Sequence, residues 1–254
     1  MNHPSSTTIL VAGATGVIGR RLVPELVSAG YRVFGLTRDP ARTCGLLDAG
    51  AVPLVVDVFD ASRLQQAVVA ARPDIVVHQL TDLPRSLDPS RMEEGVQRNA
   101  RIRREGTANL VQAAKAAGVR RVVAQSIAWA YASGPERFVE SDDLDVAANG
   151  LRATSVGGVV ALEAAVLDAD GIDGLVLRYG QLWGDGTGAD TSEGKDIPLH
   201  GDGAVSAALR AVGHGQPGVY NIADDERRLD LSRARQVLGW SPTSGVRIHE
   251  SVAH

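Results

Sequence analysis

Cysteine is almost missing: Cys44 stands alone in 254 residues. That excludes a disulfide framework and a thiolate metal site, and it suits a reducing compartment. Aromatic residues make up only 4% of a chain that is 44% hydrophobic. The core must therefore be filled by Ala, Val and Leu, which favours helices packed closely on a sheet over an aromatic-rich sandwich. There is no excess of positive charge either. A formal net charge of −4 offers no general attraction to a phosphate backbone, so nucleic acid is not expected as a partner. One basic cluster, Arg98, Arg101, Arg103 and Arg104, has Glu105 four residues beyond Arg101 and reads as a solvated helix face. The six histidines never pair at helical spacing, and no metal site is expected. The opening residues lack a basic segment followed by a long apolar run, and no stretch approaches about 18 apolar residues. The expectation is a soluble cytoplasmic protein with no membrane span and no export leader.

Apolar runs alternate with helical periodicity along the first two thirds of the chain. TILVA (8–12), YRVFGLT (31–37), AVPLVVD (51–57), PDIVVHQL (73–80) and RRVVAQS (120–126) read as strands. RRLVPELVSAG (20–30), ASRLQQAVVAA (61–71) and a long segment near 90–117 read as helices. Nearly continuous apolar strands separated by helices predict an α/β fold, a doubly wound parallel sheet covered on both faces. After Tyr179 the Gly- and Asp-rich run GQLWGDGTGADTSEGKDIPLHGDGA has little periodicity and reads as a mobile, lid-like loop. Short elements follow: AVSAALRAV as a helix, GVYNIAD as a strand and DLSRARQVL as a closing helix. The expected organisation is a nucleotide-binding domain over 1–180 and a small carboxyl-terminal substrate-binding lobe over 181–254.

The run Gly13-Ala14-Thr15-Gly16-Val17-Ile18-Gly19 sits between the first strand and an amphipathic helix. Three glycines at this spacing permit a tight turn, close approach of backbone to a pyrophosphate, and close packing of helix on strand. The helix amino terminus then meets the negative charge, and the motif predicts dinucleotide binding. An acidic residue ending the second strand would hold the ribose 2′-hydroxyl of NAD; this chain has Thr37-Arg38 instead. A guanidinium pairs bidentately with a 2′-phosphate, so NADP(H) is the expected cofactor. Asp39 would present a carboxylate on a one-residue change of register. Asp57, with Val58 beside it, is placed either for the adenine amino group or for a turn. Gln79 and Leu80 follow the fourth strand where backbone passes the cofactor ribose, and His78 reads as a structural histidine. Trp129 and Trp183 either stack on a flat substrate or pack. The carboxylates of Glu140-Ser-Asp-Asp and Asp224-Asp225-Glu226 read as surface loops.

Taken with Asp57, GTANLVQAAKAAGVRRVV (106–123), LRYGQLWGDGTG (177–188) and LSRARQVLGWSP (231–242), the glycine turn resembles the extended short-chain dehydrogenase/reductase superfamily, on its epimerase/dehydratase side. The resemblance covers nearly the whole chain and implies a Rossmann fold and a nicotinamide cofactor. It also implies a Ser/Thr, Tyr and Lys set, in which tyrosine passes protons while lysine lowers its pKa and holds the ribose. Anchored on Glu163, the family pattern Tyr-x-x-x-Lys-x-x-x-Glu puts Ser155 in the tyrosine position and Val159 in the lysine position. Both functional residues are gone. The chain is also shorter than the family pattern between Asp185 and Ile197.

Reduction of a ketone places charge on the former carbonyl oxygen, and a proton must arrive from somewhere. Three hydroxyls, Ser126, Tyr131 and Tyr179, lie near strand ends and are the candidate donors. A phenol on the substrate beside the ketone is the alternative, gaining from proximity. The missing tyrosine resembles the atypical ketoreductases that tailor aromatic polyketides. That implies NADPH-dependent reduction of a ketone on a polycyclic aromatic substrate. A nucleotide-sugar epimerase or dehydratase and a non-catalytic dinucleotide sensor remain the other readings.

Overall fold

The computed structural model describes residues 7–84 and 88–242. The first six residues, read above for an export leader, and residues 243–254 of the expected lobe lie outside them. The central strand β1 (Thr8–Ala12) is buried along its whole length, as a strand covered on both faces must be. Its side chains divide by period two: Ile9 and Val11 enter one core, Leu10 and Ala12 the other. β2 (Arg32–Thr37) and β3 (Val52–Val55) extend the sheet on one side. β4 (Ile75–His78), β5 (Arg121–Ile127), β6 (Asp173–Tyr179) and a late strand, β9 (Gly218–Ile222), extend it on the other. The order is β3-β2-β1-β4-β5-β6-β9, parallel throughout, the doubly wound arrangement expected.

One face carries α1 (Gly19–Ser28), α2 (Thr43–Asp48) and α7 (Gly201–Gly213), with α8 (Ser232–Gln236) and the fully buried Trp240 closing that core. The other carries α3 (Ala61–Ala71), α4 (Met92–Arg101), α5 (Thr107–Ala116) and α6 (Gly150–Leu167). Arg72 ends α3 in the left-handed region, at φ 48°.

The residues beyond 180, short pieces too small to fold alone, join the main body: β9 pairs with β6 in the main sheet, and α7 packs on α1. Only a parallel ribbon of β7 (Gln181–Trp183) and β8 (Pro198–His200) stands outside the sheet. Its three-residue strands are too short to show a period, which is why the whole run reads as loop. By length and composition α6 could cross a membrane, with mean hydropathy 1.4, although Arg152 and Glu163 interrupt its apolar run. Here it lies as an outer layer, with Val156, Val159, Leu162, Glu163 and Val166 buried beneath it.

Two expectations about charged residues need correction. The helix across 92–116 is continuous but widens into a π turn at Ile102–Gly106. Arg103 is buried on the face of Asn99 and Thr107, four residues to either side, while Arg101 and Arg104 are exposed and Arg98 is partly exposed. Asp224, expected on a surface loop, instead accepts from the Trp183 indole and from the His200 amide. It thereby ties the ribbon to the sheet.

Candidate active site

The turn between β1 and α1 leaves no room for side chains at two points. Gly13 has φ +86°, and a Cβ there would lie 2.5 Å from the Gln79 carbonyl oxygen. A Cβ on Gly19 would collide with the Gly13 carbonyl and with Ala14. Between them the Gly16 amide donates to the Gly13 carbonyl at 3.0 Å, which closes the turn. No side chain caps the start of α1, where Ile18 is the N-cap, and its first turn holds no acidic residue. The amides of Val17, Ile18 and Gly19 thus begin a helix whose positive end is not neutralised from within the chain. A backbone cradle of this kind fits a pyrophosphate, as Gly13, Thr15, Gly16, Val17, Ile18 and Gly19 were expected to do.

Beside the turn, α1 and α2 enclose a cavity of about 400 Å³ lined by Thr15, Arg20, Arg42 and Leu46 among others. Arg42 donates to the Thr15 carbonyl at 3.3 Å, a basic residue that sequence reasoning missed because it lies beyond the strand end. The Asp39 carboxylate accepts from the Ala41 amide at 3.0 Å and pairs with Arg42 at 3.4 Å. Thr37 is buried and its hydroxyl accepts from the Asp39 amide. Arg38 is exposed and reaches across to Asp82 at 3.5 Å, which Arg98 also approaches. Asp57 accepts from the Phe59 amide at 2.9 Å, a turn contact. The Val58 and Gln79 side chains are buried, and Leu80 is half-buried. Both polar atoms of the Gln79 amide lack a hydrogen bond of good geometry, although the group lies close to Tyr179.

Each of the three candidate proton donors is bonded inside the protein. Ser126, fully buried, donates to Glu163 at 2.7 Å. Arg178 grips the same carboxylate at 3.0 and 2.7 Å. Tyr131 donates to the Asn221 side chain at 2.7 Å and stacks on Phe138. Burial raises its pKa, opposed by the nearby Arg178. Tyr179 donates to the Ala204 carbonyl at 3.0 Å, and burial pushes its pKa from the usual 10 upward. A phenol so placed is a weaker acid than in water, and its proton is already used.

Ser155 and Val159 mark the positions that the sequence reading gives to the tyrosine and the lysine. Val159 is fully buried and Ser155 is half-buried on α6. Facing them from the π turn is Arg103, whose Nη1 lies 3.4 and 3.5 Å from the Ser155 hydroxyl and carbonyl. His78 is enclosed next to it. The Leu80 amide donates to its Nδ1, which leaves the proton on Nε2 facing the Thr107 hydroxyl at 2.9 Å. Burial first, then the charge of Arg103, lowers the His78 pKa to about 4. The imidazole is therefore neutral near pH 7 and serves to hold the strand end.

Residues 13–209 match the family model described as NAD(P)H-binding. This chain belongs to the NAD(P)-binding short-chain dehydrogenase/reductase and epimerase family. Within that family, a 3-diazoavenalumate denitrifying reductase from a Streptomyces species is 43% identical over 275 aligned residues. The match covers 92% of this chain and 88% of that one. The alignment is longer than the chain's own 254 residues, so the relative carries segments that are missing here. A UDP-glucose 4-epimerase from Mycolicibacterium smegmatis is 27% identical, covering 92% of this chain and 93% of that one. Among solved structures of the family, the UDP-glucose 4-epimerase of Thermotoga maritima with UDP-glucose superposes with a TM-score of 0.73 at 19% identity. The shares covered are 93% of this chain and 94% of that one. The Bordetella bronchiseptica enzyme WbmG in complex with NAD gives 0.70 at 17% identity, covering 95% and 90%. At these identities the two structures establish the fold.

Proposed function

We propose that this protein is an NADPH-dependent reductase of a hydroxyaryl compound, and that the protein itself donates no proton in the reaction. The observation that carries the reading is α6, where Ser155 and Val159 stand in the acid and cation positions while Ser126, Tyr131 and Tyr179 are bonded elsewhere. Bound NADPH would supply a hydride. The Gly13 to Gly19 turn would hold the pyrophosphate, and Arg38 with Arg42 would take the 2′-phosphate, since the Asp39 carboxylate is already engaged. A cytoplasmic location goes with this reading.

Two electrophiles suit a site without an acid. A ketone beside a phenol, the substrate expected from the sequence, receives its proton from that phenol. A diazo group beside a phenol goes further: a C–H bond forms, the C–N bond breaks, dinitrogen leaves with the bonding pair, and no proton is needed. The 43% identical Streptomyces relative, a denitrifying reductase by name, favours the second. An epimerase would need a proton shuttle that these side chains do not offer.

The test is to mix the protein and NADPH with a panel of polycyclic phenolic ketones and ortho-diazo phenols. Nicotinamide absorbance and product mass are followed, with NADH run in parallel. Oxidation of NADPH by either class supports the reading, and the product mass says which. No oxidation by any member would overturn it.

A further inference from the structure

Burying a guanidinium without a counter-charge is costly, because the ion loses its water and gains nothing in return. Arg103 is in that state. It is buried to 7% exposure, and among the described residues no carboxylate lies within ion-pair distance of it. Its bonds are the two long contacts with Ser155. The nearest carboxylate that acts on it is Glu163. Both oxygens of Glu163 are taken, one by Ser126 and Arg178, the other by Arg178 alone. His78, on the strand side, is neutral. Glu105, two residues along the same helix, faces outward and pairs with Arg101. The layer between α6 and the strand ends therefore holds one positive charge in excess. Burial lowers the Arg103 pKa only to about 10, so the group stays cationic near neutrality.

Two further features place this charge at the reaction centre. Ser155 is half-buried and remains open to solvent, so the guanidinium lies behind a small side chain at the position where the family pattern carries its acid. Arg103 also stands within the π turn at Ile102–Gly106, a local irregularity that recurs at functional sites in helices.

We propose that Arg103 forms a binding site for an anionic oxygen beside Ser155, and that the ligand is the ionised hydroxyl of a hydroxyaryl substrate. The cation that the family pattern places on α6 is supplied here from the neighbouring helix, and it acts on the substrate directly, with no tyrosine between them. The phenolate of a substrate seated against Ser155 meets the guanidinium edge-on, which orients the ring and favours the ionised form. This rests on the reductase reading for the identity of the ligand, but the charge excess and the opening at Ser155 do not depend on it.

The probe is 4-nitrophenol, whose phenolate is coloured, titrated across pH into the protein saturated with NADP+, so that no turnover occurs. The wild-type protein is expected to bind the phenolate about tenfold to hundredfold more tightly than the ether 4-nitroanisole, the range for one charge-assisted contact. The pKa of bound 4-nitrophenol should fall accordingly. Arg103→Met should abolish that preference, and Arg103→Lys should restore part of it. Equal affinity for phenolate and ether in the wild-type protein overturns the proposal, as does an Arg103→Met variant that keeps the preference. The wild-type comparison decides alone if Arg103→Met does not fold. Because no hydride moves in this assay, phenolate binding without any reduction of the substrate panel would sink the reductase reading and leave the anion site standing. Reduction without phenolate preference would do the reverse.

Discussion

Glu163 is the most informative residue to remove, because three separate parts of the site meet on its carboxylate. It accepts from Ser126 at the end of β5 and from Arg178 on β6, and the pair is 7% and 6% exposed. Arg178 in turn donates to the Glu140 carbonyl at 3.1 Å and lies over the Tyr131 ring at 4.8 Å. Glu163→Ala would leave a guanidinium buried without its partner, a change that costs about 3–5 kcal/mol. A domain of this kind has ~5–15 kcal/mol in total, so the variant should be marginal. Glu163→Gln preserves shape and an acceptor for Ser126 but loses charge assistance, and should cost about 2 kcal/mol. Replacing both partners, Glu163→Leu with Arg178→Met, should recover most of the loss, because an apolar pair needs no compensation. The assay is urea unfolding followed by circular dichroism, comparing midpoints at constant slope. The reasoning fails if Glu163→Ala loses less than about 1 kcal/mol, or if the double variant is as unstable as the two single losses combined.

Four further outcomes are expected. Arg38→Ala should raise the Michaelis constant for NADPH by about tenfold or more while changing that for NADH little, as loss of a charged phosphate contact requires; equal changes would remove the 2′-phosphate assignment. Ser126→Ala, Tyr131→Phe and Tyr179→Phe should each leave turnover within about tenfold, well short of the ~10²–10⁴ loss that follows removal of a general acid, as read from steady-state rates on folded protein. Gly13→Ala forces a side chain into the left-handed region and against the Gln79 carbonyl, and calorimetric titration should show NADPH affinity reduced at least about tenfold. For His78, the folded pKa of about 4 lies below the unfolded value of 6.5. The unfolded chain therefore binds the extra proton, and stability present above pH 6.5 is lost as pH falls toward 4. His78→Gln should flatten that slope in urea titrations at pH 7 and pH 5, and an unchanged slope would refute the assignment.

Much of the fold was legible in the order of residues. β1, α3 and the long helix over 92–116 carry their periods openly, and Gly13 to Gly19 stands in its strand-to-helix context. Ser155 and Val159 could be found by counting from Glu163 alone. The ribbon of β7 and β8 was not legible, because three residues hold no period and the pairing joins segments 15 residues or more apart. Nor was Arg103. It lies four residues from both Asn99 and Thr107, on the buried face, but nothing in a run of arginines says which one is enclosed until α6 packs on that helix.

By itself the sequence determined the doubly wound sheet and the glycine-rich turn between its first strand and helix. Each depends on residues close together in the chain, or on a pattern that any local window displays. Tertiary structure alone decided which charges are buried and which hydroxyls are free. Ser126, Tyr131 and Tyr179 have their partners 37, 90 and 25 residues away, and the packing of α6 on the long helix brought Arg103 against Ser155, 52 residues along. Burial and pairing are properties of contacts between distant segments, and the electrostatics of the site follows from those contacts.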